Sequence, residues 1–169
     1  MLNQQHWNDD TQLDLETKKY LQHKFRQIGV DCDIYDSVCD DKGIDLILNN
    51  HIYVDIKRRR FPVERYNDIL IEIYANWESK TPGWAVDDTR VTHVYLYVFD
   101  NKIIMFNREL IHAIGVSQLK NIGSDGKPIM NHNRFRRCFQ GDYSTINYHH
   151  PLTKIIDQRI SINQLISTN

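Results

Sequence analysis

A chain of 169 residues with 41% apolar and 25% charged residues is one domain's worth of sequence, able to close a sizeable core but too short for two large ones. Lys and Arg total 21 against 22 Asp and Glu, a formal net charge of -1, so no global basic field marks a nucleic-acid surface and any such site must be a local patch. No run reaches the roughly 18 apolar residues of a membrane span, and Met1 to Asp10 is polar rather than basic-then-apolar, so a cytoplasmic protein with no membrane partner is expected.

Leu13, Tyr20, Leu21, Phe25 and Ile28 recur at helical spacing and predict an amphipathic helix from Thr11 to Ile28, stopped by Gly29. Val30 to Tyr35 reads as a first strand, followed by a turn over Asp40, Asp41, Lys42 and Gly43. Ile44 to Leu48 and Ile52 to Lys57 alternate around Asn49, Asn50 and His51, a hairpin signal. Further strands are expected at Asp68 to Ala75, at His93 to Phe99 and, after a turn at Asp100 to Lys102, at Ile103 to Phe106. Asn107 caps a predicted helix from Arg108 to Ile114. From Gly115 to Tyr148 the chain is polar, with a basic segment at Asn131 to Phe139 read as helical, and a short helix is expected at Ser161 to Ile166. The sum reads as an α/β or α+β domain with helices packed on a central, mostly antiparallel sheet. Cys32, Cys39 and Cys138 are odd in number and form no CxxC pair, so they read as reduced structural thiols.

In the hairpin every even position, Ile44, Leu46, Leu48, Ile52, Val54 and Ile56, is aliphatic, while the odd positions include Asp45, Tyr53, Asp55 and Lys57. Paired residues share a face, so the aliphatic sets match only when paired numbers sum to an even value. A two-residue Asn49-Asn50 turn would pair Leu48 with His51 and force Asp55 and Lys57 among the aliphatics. A three-residue loop instead pairs Leu48 with Ile52 and sets Asp45 against Asp55. Opposed carboxylates repel, so this register needs a cation, from Lys57 on the same face or from a divalent metal. Glu72 has parity opposite to Ile69, Ile71 and Ile73, and would join the charged face if its strand neighbours the hairpin.

"GID" at Gly43 to Asp45, followed after nine residues by "DIK" at Asp55 to Lys57, resembles the signature of the PD-(D/E)xK nuclease superfamily. The later "IEI" around Glu72, "KTPGW" at Lys80 to Trp84 and "VYLYVF" look like a phage or bacterial branch of it. One departure is Ile44, where the motif's name has proline. The resemblance implies a restriction-endonuclease-like α/β core, a central mixed sheet of about five strands flanked by helices, in a single domain over 1–169. The core would span about 11–106, with a helical or irregular extension at 107–169. By position, Asp45, Asp55 and the Ile56 carbonyl would ligate metal, Lys57 would be catalytic, Glu72 an outer or second-metal ligand, and Glu16 the acid the family often carries on its first helix.

The implied activity is a Mg²⁺-dependent deoxyribonuclease, with Mn²⁺ able to substitute, leaving a 5′-phosphate and a 3′-hydroxyl. An endonuclease is favoured over an exonuclease. Hard carboxylate oxygens suit Mg²⁺, which neutralises phosphate charge and acidifies water, while a lysine orients the nucleophile. DNA is the expected partner, a homodimer is compatible with two-strand cleavage, and the cytoplasm of a bacterial or phage-infected cell is the expected setting. "KRRR" supplies Arg58, Arg59 and Arg60 as phosphate contacts, and Arg134, Arg136 and Arg137, interleaved with Phe135 and Phe139, form a second patch. Trp84 reads as a core or lid residue, with base stacking the alternative. The eight histidines lack zinc-ligand spacing. The competing reading is a catalytically inactive protein of the same fold that binds DNA or a partner protein as a regulator.

Overall fold

A computed structural model describes residues 2–35, 42–59, 65, 67–129 and 134–167, with side chains described from residue 12 on. Cys39, Arg60 and the turn residues Asp40 and Asp41 lie outside the described residues.

Helix α1 (Leu2–Gln27) ends with Lys24 and Arg26 in its last turn, where cations favour the negative end of the helix dipole. Its buried seam is Thr17, Leu21 and Phe25, at i, i+4 spacing. Tyr20 and Ile28, expected in that stripe, fall on its flank and are 53% and 59% exposed. The seam lies on a five-stranded mixed sheet in the order β1 (Cys32–Ile34), β2 (Leu46–Leu48), β3 (Ile52–Arg58), β6 (Val94–Val98), β7 (Ile103–Asn107). All neighbours are antiparallel except β3 and β6, which pair Asp55 with Tyr95 and Lys57 with Tyr97 in parallel.

The long connection that a parallel pair requires carries β4 (Asp68–Asn76) and β5 (Thr81–Pro82). These join β8 (Phe135–Gln140) and β9 (Tyr143–Pro151) in a second, antiparallel sheet of order β5-β4-β9-β8. The Asp68 strand therefore does not neighbour the hairpin, and β1 completes the five strands instead. Residues expected to be helical near 131–139 form edge strand β8 where described, because β9 offers them a full antiparallel ladder from Phe135–Tyr148 to Gln140–Tyr143. Helices thus flank only part of the central sheet. One face carries α1 and α3 (Ile162–Ile166), which Ser161 and Gln164 start with a reciprocal capping box. The other carries the second sheet and α2 (Arg108–Leu119).

The two faces have separate cores. Leu46, Leu48, Ile52, Val54, Ile56, Val94 and Leu96 meet Leu21, Phe25 and Leu165 on the helix side. Tyr95, Tyr97, Ile104 and Phe106 meet Ile69, Ile71, Ile73, Ile111 and Tyr148 between the sheets. Among the described residues no helix is long and apolar enough to cross a membrane.

Candidate active site

The β2–β3 loop spans three residues: Leu48 pairs with Ile52, Leu46 with Val54, and Asn49 and Asn50 adopt φ of 48° and 64°. Asn tolerates that left-handed region because its short polar side chain bonds locally, and Asn49 Oδ1 accepts the Asp31 N–H. The ladder ends at Leu46–Val54, and Asp45, one residue beyond it, is close enough to Asp55 for the two charges to interact. Asp45 N–H donates to Val54 O at 2.8 Å, and Ile56 N–H donates to Asp45 Oδ2 at 2.6 Å. The alternation of β3 drives the aliphatics toward α1 and leaves Asp55 and Lys57 on the opposite side.

Each carboxylate has its own cation. Lys57 Nζ lies 2.7 Å from Asp55 Oδ1, and Lys18 Nζ, reaching down from α1, lies 2.7 Å from Asp45 Oδ1 and 3.1 Å from Asp14 Oδ2. Burial works against the Lys18 charge, yet Asp45 and Asp14 together raise its pKa. Asp55 is only 3% exposed. Burial pushes its carboxyl up to about 6, with Lys57 opposing and the Asp45 charge adding to the shift. Its Oδ2 has no hydrogen-bond partner among the described residues, and Arg90 Nη1 lies 3.7 Å from it.

Lys57 also sits on aromatic rings, 4.4 Å from the Trp84 centroid and 5.9 Å from that of Tyr95. Trp84, expected as a core or lid residue, is half-buried and packs on Tyr95 at 4.8 Å. Gly83 makes this packing possible: a Cβ there would stand 2.4 Å from Glu72 O. Trp84 N–H in turn donates to Glu72 Oε1 at 3.3 Å. Glu72 thus reaches the edge of the cluster from the second sheet, through Trp84, and not along the hairpin's own sheet.

Other sequence-derived candidates lie elsewhere. Glu16 takes a hydrogen bond from Gln12 and lines a groove of about 550 Å³ with Tyr20, Arg58 and Lys102. Two residues along a helix is roughly 200° of rotation, so it faces away from Lys18, and the helix acid at the cluster is Asp14. Arg58 is tied to α1 through Leu13 O and Thr17 Oγ1, and Arg59 to Asp68 Oδ1 at 2.6 Å. Arg137 braces the second sheet through Ser144, Asp125 and Glu78. Arg134 and Arg136 are exposed on β8 or beside it, Arg134 donating weakly to His149 O at 3.5 Å.

Sequence reasoning passed over Lys18, Asp14 and Arg90. The i, i+4 spacing of Asp14 and Lys18 was a readable ion-pair signal. Arg90 had none, because its position depends on the path of the loop from Trp84 to His93.

Among the described residues no group of three or more His, Cys, Asp or Glu side chains could hold a metal ion. That donor set does not suit a structural zinc or a calcium cage, which take four or more protein ligands. It does suit Mg²⁺, which is held by one or two carboxylates and keeps water and substrate oxygens for the rest. The buried Asp55 Oδ2, without a hydrogen bond among the described residues, is an oxygen that such an ion would satisfy. Comparison with family models, curated proteins and solved structures returned no match.

Proposed function

We propose that this chain is a Mg²⁺-dependent deoxyribonuclease built on a restriction-endonuclease-like core, with Asp45, Asp55 and the Ile56 carbonyl as the metal-holding groups and Lys57 as the catalytic lysine. The observation that carries this reading is Asp55. It is a nearly inaccessible carboxylate with one oxygen on Lys57 and the other without a hydrogen bond among the described residues, only a long contact to Arg90, and it lies close enough to Asp45 to feel its charge. A stability-driven sequence has little reason to keep such a group, since an unsatisfied buried charge costs several kcal/mol at most sites and is selected where chemistry needs it. Bound there, Mg²⁺ would supply neutralisation of phosphate charge and a more acidic water.

Lys57 would hold charge on a phosphate oxygen and orient an incoming water. The Trp84 and Tyr95 rings on which it rests restrict its rotamers. Exposed Arg134 and Arg136 would add DNA contacts that set affinity without sequence choice.

A second reading has its own support: Lys18 and Lys57 already pair with Asp45 and Asp55 at 2.7 Å each, a charge balance that needs no ion. It makes the chain a non-catalytic DNA- or protein-binding regulator of the same fold. Incubation with linear, nicked, branched and single-stranded DNA, in Mg²⁺ or in EDTA, separates the two. The nuclease reading expects Mg²⁺-dependent cleavage of at least one substrate, reduced at least about 100-fold in both Asp55→Asn and Lys57→Ala with DNA binding largely kept. DNA binding without cleavage of any substrate favours the regulator.

A further inference from the structure

We propose that Arg90 is the residue that grips the target phosphate, and that in the chain alone its guanidinium stands over Asp55 until that anion draws it away. The proposal rests on the nuclease reading and gives it a substrate-contacting residue outside the hairpin motif.

Arg90 hangs between two carboxylates and closes on neither. Nη1 is 3.7 Å from Asp55 Oδ2 and Nε is 3.9 Å from Asp87 Oδ2. Pairs elsewhere in the molecule that hold structure together are much tighter: Arg59–Asp68 closes to 2.6 Å, Lys18–Asp45 and Lys57–Asp55 to 2.7 Å. Arg90 Nε and Asp55 Oδ2 are both buried atoms without a hydrogen-bond partner among the described residues. Buried polar atoms are nearly always bonded, so an orphan on each of two oppositely charged residues, whose closest approach is 3.7 Å, marks a place that a ligand completes.

The seat of Arg90 is built. Gly43 has φ +68°, which favours glycine, and a Cβ there would lie 2.3 Å from Nη1 and 2.8 Å from Cδ, so a side chain would push the Arg90 guanidinium from its present position. Thr92 Oγ1 donates to Gly43 O and fixes that backbone. Asp87, on the far side, is held by Thr89 N–H and Oγ1 and does not need Arg90 for its bonds. The Arg90 side chain is 21% exposed, so a ligand can reach it. A planar fork of donors with bonds to spare matches two oxygens of a phosphodiester, and a cation that leaves Asp55 frees Oδ2 for a metal.

Two titrations test this: a short labelled DNA duplex in EDTA followed by fluorescence anisotropy, and Mn²⁺ added to the protein alone followed by electron paramagnetic resonance. Arg90→Gln should weaken duplex binding about tenfold or more and tighten Mn²⁺ about threefold or more, because a competing cation has left Asp55. Arg90→Lys keeps the charge but loses the fork. It should weaken duplex binding while leaving Mn²⁺ affinity within about twofold and thermal unfolding near wild type. Duplex affinities within twofold of wild type in both variants overturn the proposal, as does loss of Mn²⁺ binding in Arg90→Gln, which would make Arg90 a prop for Asp55. If wild type cleaves DNA while the variants bind it unchanged, only the Arg90 assignment fails. If wild type binds neither Mn²⁺ nor DNA, the nuclease reading fails with it.

Discussion

Strand β3 presents two unlike surfaces from one stretch of seven residues. Toward α1 it offers Ile52, Val54 and Ile56, and that layer is almost wholly aliphatic. Toward the second sheet the same strand offers Asp55 and Lys57, and the layer around them holds Tyr95, Tyr97, Arg90 and His150. Helix α1 gives polar groups a few partners at its edge, Lys18 to Asp45 and Thr17 Oγ1 to Arg58, but its buried Leu21 and Phe25 do not hydrogen-bond. The loop carbonyls and strand edges between two sheets do: Tyr95 OH donates to Trp84 O and Tyr97 OH to Leu70 O. The helix layer is therefore held mainly by aliphatic packing, with the Lys18–Asp45 pair at its edge, while the layer between the sheets holds buried polar atoms both with and without partners among the described residues.

The largest effect expected from breaking that division falls on the helix side. Leu46 is fully buried, and Leu46→Ala should cost roughly 2–5 kcal/mol in urea unfolding, the range for a lost aliphatic plus the cavity behind it. A cost below about 1 kcal/mol would mean that α1 does not pack firmly on the sheet.

Next come the two buried titratable groups of the inter-sheet layer, which act with opposite sign. Asp55, at about 6 when folded, keeps its proton where an unfolded Asp, near 3.8, has lost it. Its contribution is full below about 3.8 and is lost as pH rises through about 6, a swing of about 3 kcal/mol. Burial holds His150 down to about 4 from 6.5, with Lys154 and Arg134 adding to it, and neither ring nitrogen has a partner among the described residues. Stability from His150 is full above 6.5 and is lost as pH falls through about 4, again about 3 kcal/mol. Between about pH 4 and 6 the two slopes oppose each other. Urea midpoints measured across that range in EDTA should fall more steeply toward acid in Asp55→Asn than in wild type, and less steeply in His150→Leu. Parallel curves for all three proteins would remove both groups from the linkage.

The hairpin was legible because parity leaves one register that keeps both aliphatic sets together, and Asn49 and Asn50 are residues that accept its loop. The membership of β4 was not legible: Ile69, Ile71 and Ile73 alternate equally well in either sheet, and only the crossover from β3 to β6 decides it. Strand β9 was hidden for another reason. Ser144, Thr145 and Asn147 are buried, but they are polar, so hydrophobic alternation does not mark the strand. Ser144 is satisfied by Glu78, whose carboxylate accepts its N–H and hydroxyl and also pairs with Arg137. Of the candidate site, the motif residues could be read from spacing, while Arg90 and Lys18 arrive from a loop and a helix face that only the fold brings near.

The smallest of these effects tests how the inter-sheet layer is joined. His149 N–H goes to Arg134 O, so in this register the Leu70 carbonyl points away from β9 and receives the Tyr97 hydroxyl at 3.0 Å. Tyr97→Phe keeps the ring on Phe106 and opens almost no cavity, so its cost is that of one buried acceptor left without this donor, about 1–2 kcal/mol. It should therefore fall below the cost of Leu46→Ala, although Tyr97 is the larger side chain and is as deeply buried. The reverse order would place the main cohesion of the molecule between its sheets, and the division of labour along β3 would have to be redrawn.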